Sequence, residues 1–229
     1  MADYVFANGF VSTHSQTSTE PETVAPAGGL YRGFGKTLLD KAFALLFGLI
    51  ALPLVLVACA FVARDGHSPF YSQKRIGRNG RIFKMWKIRT MVVDADRKLA
   101  EHLEADPVAR EEWTRYQKLR RDPRITRTGR VLRKTSVDEL PQFWNVLVGD
   151  MSVVGPRPMM VGQEKLYPGQ SYYALKPGIT GPWQISDRNV SSFADRARFD
   201  DSYLNNASLA CDLKIIMGTV RAVTAGTGC

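Results

Sequence analysis

Residues Ala42–Ala63 read AFALLFGLIALPLVLVACAFVA, a run without a charge or a strongly polar side chain. Its length matches the hydrocarbon thickness of a bilayer, and it is apolar on every face, which a helix lying on a soluble core is not. The reading is a membrane helix. Pro53 sits almost at the midpoint, where it removes a backbone donor and kinks or breaks a helix. Each half is then about 10 residues, or roughly 15 Å, half of a hydrocarbon core. Two geometries follow: a simple span, or a re-entrant hairpin that returns to the face it entered. Arg32, Lys36 and Lys41 precede the run and Arg64, Lys74 and Arg75 follow it. Basic flanks on both sides suit two cytoplasmic ends.

Outward from this segment, residues 1–29 are rich in Ser, Thr, Pro, Ala and Gly and carry no sustained apolar period. They read as a disordered tail, without the basic start of a secretory signal. The 229-residue chain has a formal net charge of +9, which favours polyanions or an anionic membrane face. It shows no helix-turn-helix or RNA-binding signature, so no nucleic-acid partner is expected. Cys59, Cys211 and Cys229 are widely separated and read as free thiols in a reducing compartment. His14, His67 and His102 fall in no metal-ligand or triad-like motif and read as surface residues.

After the apolar run, Phe70–Met91 contains Asn79–Gly80 between two mixed apolar and basic stretches, the pattern of a hairpin. Seven of the sixteen residues Lys74–Arg89 are Lys or Arg, a face for lipid headgroups or for phosphate. Asp94–Asp106 and Val108–Leu119 read as helices divided by Pro107, with Trp113, Tyr116 and Leu119 on one face. Arg120–Arg130 reads as a basic loop, and helical patterning resumes at Val131 and through Asp138–Val148. Glycines and prolines then break the chain in GDMSVVGPRP and KPGITGPW. Ser208–Val223 places Leu209, Leu213, Ile216, Met217 and Val220 on one stripe of an amphipathic helix, to be buried on the core or laid in the bilayer interface.

The stretch TSVDELPQ puts Asp138 and Glu139 side by side ahead of Pro141. One reading is a helix start: Ser136 and Glu139 fit a capping box, and acids in a first turn suit the helix dipole. The other is chemical. A carboxylate can attack phosphorus, its neighbour can help to hold Mg²⁺ against substrate phosphates, and arginines can clamp the transferring group. Arg133 lies one helical turn upstream, and Arg157 stands between Pro156 and Pro158. The two readings are compatible.

Four ordered segments, RIGRNGRIFKMWKIRTM, RDPRITRTGRVLRK, SVDELPQFWNVLVGDMSVVGPRP and KPGITGPWQIS, resemble the bacterial polyprenyl-phosphate phosphoglycosyl transferases of the monotopic superfamily, especially those that begin exopolysaccharide repeat units. The likeness covers roughly Thr37–Val223. It implies that a UDP-sugar gives its hexose 1-phosphate to undecaprenyl phosphate with release of UMP, galactose or glucose being the favoured hexose. It implies Asp138 as the covalent nucleophile, Glu139 as the Mg²⁺ ligand, Arg157 and Pro158 as the nucleotide or phosphate element, Arg133 as a phosphate partner, and Lys87 from the basic run as a further one. It also implies the re-entrant geometry.

The expected architecture is α+β and predominantly helical: a re-entrant membrane helix hairpin plus a cytoplasmic, membrane-associated catalytic domain with a few short strands. The divisions are 1–29 tail, 30–65 membrane-inserted helix and 66–229 catalytic domain with a C-terminal amphipathic helix. The expected partners are a UDP-sugar, undecaprenyl phosphate and inner-membrane lipids, with a homo-oligomer left open, at the cytoplasmic face of a bacterial inner membrane. Two positions depart from the family pattern. Leu52 replaces the serine usual before the mid-helix proline, so the bend must be held otherwise or be shallower. Asp187 replaces a usual glycine and bears on sugar preference.

Overall fold

The computed structural model describes residues 31–116, 119–186 and 193–224. The expected tail, His14, Asp187, Cys229 and the side chain of Tyr116 lie outside the described residues. A single π-helical turn, Tyr31–Gly35, leads into α1, Lys36–Val62, which stays helical through Pro53 rather than dividing into two elements. Ten large apolar side chains between Leu45 and Phe61, Leu52 among them, are exposed along it. Soluble monomers rarely show an apolar surface of that extent.

Both ends of α1 are nevertheless anchored, and on one domain. At its start the Asp40 carboxylate accepts from Ser152 Oγ at 2.7 Å and from the Val153 amide at 3.1 Å. The Lys36 ammonium meets Asp212 at 2.5 Å, and Asp212 also accepts from the Tyr31 and Tyr203 hydroxyls at 2.6 and 2.5 Å. Ala44 enters a core with Phe83, Met85, Val146, Val153 and Ile215. At the other end Ala58 and Val62 pack with Ile88 and Leu132, joined by Val55, Cys59 and Val137.

The hairpin forms as the Asn79–Gly80 signal predicts. Strands β1 (Phe70–Ile76) and β2 (Ile82–Ile88) pair antiparallel with Ile76 opposite Ile82, and both Asn79 and Gly80 take positive φ in the turn. Helices α2 (Ala95–Ala105), α3 (Pro107–Tyr116) and α4 (Arg127–Thr135) follow. Pro107 opens α3, a position that needs no amide donor. Leu119 is buried and the half-buried Trp113 receives the Arg124 guanidinium over its ring at 5.0 Å, so these two members of the apolar stripe pack inward.

After α5 (Gln142–Val148) the segments read as breaks carry short strands. β3 (Ser152–Val154) runs parallel to β5 (Gly178–Thr180), and β4 (Met159–Met160) adds to β1, giving the order β2-β1-β4. These strands are too short to show a period. Their glycines serve close approach: a Cβ on Gly178 would lie 2.2 Å from the Gly155 amide nitrogen, well inside contact distance. Short helices α6 (Ser171–Ala174) and α7 (Pro182–Ile185) precede α8 (Arg196–Asn206) and α9 (Leu209–Thr224). On α9 the buried side is Asp212 and Ile215, with Ile216 half-buried against the core. Leu209, Leu213, Met217 and Val220 of the expected stripe are exposed instead, so most of that stripe turns away from the core.

Candidate active site

The acidic pair stands in a 3-10 turn, Val137–Glu139, between α4 and α5. The expected capping box does not form. Ser136 ends α4 in the left-handed region (φ 57°) and its side chain caps nothing. The Glu139 carboxylate turns instead to Lys87, whose ammonium donates to Oε1 at 2.6 Å. An ion pair with a cation on β2 competes well with a neutral backbone donor, and the turn is too short to supply the second helical turn a capping box needs. A left-handed serine is a costly conformation. Here it reverses the chain between two helices and leaves Asp138 buried at 7% exposure beside a more open Glu139.

Each neighbour of the pair is fixed by its own element. Arg133, in the last turn of α4, donates Nε to Thr90 Oγ1 at 2.9 Å. Helix α4 lies flush against that strand end because residue 129 is glycine: a Cβ there would sit 2.0 Å from the Thr90 carbonyl oxygen. Thr126 caps α4 by accepting from the Gly129 amide at 2.9 Å. Helix α5 is tied to β2 by Asn145, fully buried, whose Oδ1 accepts from the Trp86 amide at 3.0 Å while Nδ2 donates to the Lys84 carbonyl at 2.7 Å. The same residue's carbonyl accepts from Gly149, Asp150 and Met151. Asn145→Leu should cost roughly 2–4 kcal/mol of stability, since two buried backbone groups lose their partner at ~1–3 kcal/mol each. Denaturant unfolding measures this. A loss below about 1 kcal/mol would mean that the clamp is not needed to hold β2 on α5.

Burial pushes the Asp138 carboxyl up to about 6; Lys87 and Arg133 pull it down and Glu139 pushes it up. At neutral pH it is therefore mostly ionised, poorly solvated and close to cations, which suits a nucleophile.

A second basic group adjoins the acids. Arg75 lies on the face of the β1–β2 ladder that carries Lys87, about 13 Å further along the strand. Its Nη1 donates to the Pro158 carbonyl at 3.1 Å and its Nη2 to Gln73 Oε1 at 2.6 Å. Pro158 itself is buried, so it shapes the loop and holds Arg75. Tyr172 fixes the next residue: its hydroxyl accepts from the Met159 amide at 3.0 Å and donates to the Ile76 carbonyl at 2.5 Å. The Arg157 guanidinium lies 5.7 Å from the Trp183 ring centre, and that of Arg196 4.2 Å from the same ring and 4.4 Å from Phe193.

Burial first, then the charge of Arg157, lowers Arg75 and Arg196 to about 10 each. The Nε atoms of both are buried without a hydrogen-bond partner. Three mutually repelling guanidiniums, of which Arg75 feels the charge of Glu139, suit a multiply charged anion.

The chain matches the family described as bacterial sugar transferase over residues 31–226. It belongs to the bacterial sugar transferase family. It is 46% identical over 192 residues to the UDP-galactose-lipid carrier transferase of Erwinia amylovora, a match covering 83% of this chain and 40% of that protein. It is 45% identical over 213 residues to the exopolysaccharide production protein ExoY of Sinorhizobium fredii, covering 91% and 92% of the two chains. To the undecaprenyl-phosphate galactose phosphotransferase of Salmonella typhimurium it is 43% identical over 192 residues, covering 83% and 40%. The chain thus spans well under half of the Erwinia and Salmonella relatives and nearly all of ExoY.

Of the residues singled out in the sequence, Asp138, Glu139, Lys87 and Arg133 come together as one group. Arg157 joins it through Arg75, whose charge feels both Arg157 and Glu139. Sequence reading passed over Arg75, Asn145, Trp183 and Arg196. Arg75 was one cation among many in a basic run, and Arg196 lies in FADRARFDD, which has no pattern of its own. Nothing short of the fold brings Arg196 to Arg157. His67 interacts with Asp65 at the surface, and His102 lies on α2.

Among the described residues no group of three His, Cys, Asp or Glu forms a metal cluster. The carboxylate expected to hold the metal is Glu139, which adjoins Asp138 and accepts from Lys87 at 2.6 Å. That fits Mg²⁺, which is commonly held by one or two carboxylates and completed by substrate phosphates and water.

Proposed function

We propose that this chain transfers a hexose 1-phosphate from a UDP-sugar to undecaprenyl phosphate through a phosphoryl-aspartate on Asp138. The observation that carries the reading is the buried, cation-flanked Asp138, together with a guanidinium trio whose Arg75 feels Glu139. An Asp138 carboxylate oxygen attacks the β-phosphorus and the bond from that phosphorus to the bridging oxygen breaks. UMP leaves with the electron pair. An oxygen of the polyprenyl phosphate then attacks the same phosphorus, and the Asp138 carboxylate is released with its electrons. Arg75, Arg157 and Arg196 hold the diphosphate, Lys87 and Arg133 balance charge around the nucleophile, and Pro158 keeps Arg75 in place. Mg²⁺ bound at Glu139 would supply charge neutralisation between anionic nucleophile and anionic substrate. The names of the Erwinia, Salmonella and Klebsiella pneumoniae relatives, the last a UDP-glucose:undecaprenyl-phosphate glucose-1-phosphate transferase 35% identical over 207 residues, favour galactose or glucose. A panel of UDP-sugars assayed for UMP release, with and without undecaprenyl phosphate, tests the reading. Lipid-linked product that appears only with the acceptor is expected. Release of free sugar phosphate regardless of acceptor would make the protein a hydrolase.

The reading includes a membrane helix that enters and leaves by the cytoplasmic face. Its support is mechanical. The start of α1 is bound to α9 and β3, and its end is packed on β2 and α4 of the same domain. A helix that carried its start across the bilayer would have to abandon the contacts of Lys36, Asp40 and Ala44. Basic residues at both ends agree. Gly48 lets α5 approach the middle of α1: a Cβ there would lie 3.6 Å from Phe143 Cβ. Single cysteines placed at positions 33 and 67, in a background without Cys59, Cys211 and Cys229, should both react with a membrane-impermeant thiol reagent only after the cytoplasmic side is opened. Labelling of position 33 in intact cells would establish a span.

A further inference from the structure

A polar concavity lies at the foot of α1, remote from the acids. It is a cavity of about 90 Å³ where the first turns of α1 meet the β1–β2 turn and the α6–β5 connection. Sites for organic ligands run to about 300–1,000 Å³, so this one is too small for a sugar nucleotide and suits a single oxyanion. Its distance from the acidic pair is large: from the hairpin turn to Lys87 the strand runs roughly 17–20 Å.

Its charged wall is unbalanced. Lys36 is taken up by Asp212 and Asp40, and Asp40 in turn by Ser152 and Val153. Arg32 gives one Nε and one Nη2 hydrogen to the Ala207 and Asn205 carbonyls, which leaves its charge without a carboxylate and further donors of its fork for a ligand. Arg78 and Lys176 also line the cavity, and neither enters an ion pair among the described residues. The Lys176 ammonium is half-buried and its proton affinity is lowered by burial first; Arg78 and Lys41 lower it further, while Asp40 and Asp150 offset part of this. Both backbones are fixed. The Gly77 amide donates to the Arg81 carbonyl at 2.7 Å across the turn that carries Arg78. The Lys176 carbonyl sits where a Cβ on Gly155 would lie 2.3 Å away.

We propose that Arg32, Arg78 and Lys176 form a phosphate-binding site occupied by the headgroup of an anionic phospholipid. The placement argues for the lipid source. The wall residues of α1 end at Asp40, two positions before the apolar run begins, which is headgroup depth if α1 lies in the bilayer as proposed above. The proposal rests on that reading. A lipid held here and the acceptor near Asp138 would sit at the two feet of one helix and set the tilt of the catalytic domain on the membrane.

The full chain in nanodiscs of phosphatidylcholine with a minor fraction of phosphatidylglycerol, released for native mass spectrometry, should retain phosphatidylglycerol. Arg78→Ala with Lys176→Ala should lower that retention about 10- to 30-fold, while Arg78→Lys with Lys176→Arg keeps most of it. UMP release should be intact in both variants, which shows that they fold. Equal retention in wild type and the alanine double variant would overturn the site. Occupancy by inorganic phosphate at millimolar concentration, with no preference for phosphatidylglycerol, would overturn the lipid as its source. A chain that stays in pure phosphatidylcholine discs but shows no discrimination overturns the pocket alone. A chain that leaves every disc overturns the membrane reading and the pocket with it.

Discussion

Asp138→Asn should abolish sugar-phosphate transfer and at the same time make the fold more stable at neutral and alkaline pH. The first half follows from the proposed chemistry. An amide cannot form the acyl phosphate, so the loss should reach at least about 10⁴-fold, as for other nucleophiles whose function no neighbour replaces. Incubation with a radiolabelled UDP-sugar, labelled in the β-phosphate, should leave acid-labile label on the wild type and none on the variant. Glu139 is the adjacent carboxylate, but Lys87 holds it at 2.6 Å and it stands outside the buried position, so it does not substitute. Appreciable turnover by the Asn variant would remove Asp138 as the nucleophile.

The second half follows from linkage. In the native state Asp138 titrates at about 6, above the ordinary 3.8, mainly because it is buried. Between those two values the folded protein binds more protons than the unfolded chain, so stability falls as pH rises through that window. Above about 6 the full cost is present, on the order of 2–3 kcal/mol; below about 4 it vanishes. Asn carries no such cost. Chemical denaturation across pH 4–8 should show the two proteins equal at the acid end and the variant ahead from about pH 6 upward. A variant less stable than wild type at pH 8 would show that Lys87 and Arg133 outweigh desolvation and that the acid is not held at a disadvantage for reaction. Turnover of the wild type should rise across the same interval, because the carboxylate must be ionised to attack.

What could be read from the sequence follows from how local each feature is. The apolar run, the Asn79–Gly80 hairpin, the helix opened by Pro107 and the placing of Arg133 beside Asp138 are set by residues within a turn or two of one another. The capping box failed although its pattern is local, because the competitor for Glu139 is Lys87, fifty-two positions away and invisible until β2 is docked by Asn145. The strands at Ser152–Val154 and Gly178–Thr180 failed for a related reason: three residues show no alternation, and the glycines that read as breaks are there to let two backbones approach. On α9 the expected stripe was real as a pattern, and its exposure shows that a one-sided apolar face does not say which environment it will meet. The arginine trio is the extreme case. Arg75, Arg157 and Arg196 come from β1, from the loop before β4 and from α8, and only the packing of Tyr172 against Ile76 and Met159 sets two of those elements side by side.

Arg157→Ala should lower kcat/KM for UMP release by about 10²–10³, the range found when one preorganised donor is taken from a developing anion. Arg157→Lys should recover only a fraction, since an ammonium is a point charge and cannot bridge two phosphate oxygens in a fork. The fold should not suffer. Arg157 repels both Arg75 and Arg196, so its removal relieves the free protein, and the melting temperature of the alanine variant should equal or exceed that of wild type. That opposition between stability and activity separates a substrate-binding role from a structural one: a loop residue needed for folding would lose both. Arg196→Ala supplies the cross-check. If the two guanidiniums hold one diphosphate, the double variant should lose less than the product of the single losses, because the first substitution already releases the phosphate from its clamp. Independent losses would place Arg196 on a different part of the donor, and activity of Arg157→Ala within threefold of wild type would take Arg157 out of the site.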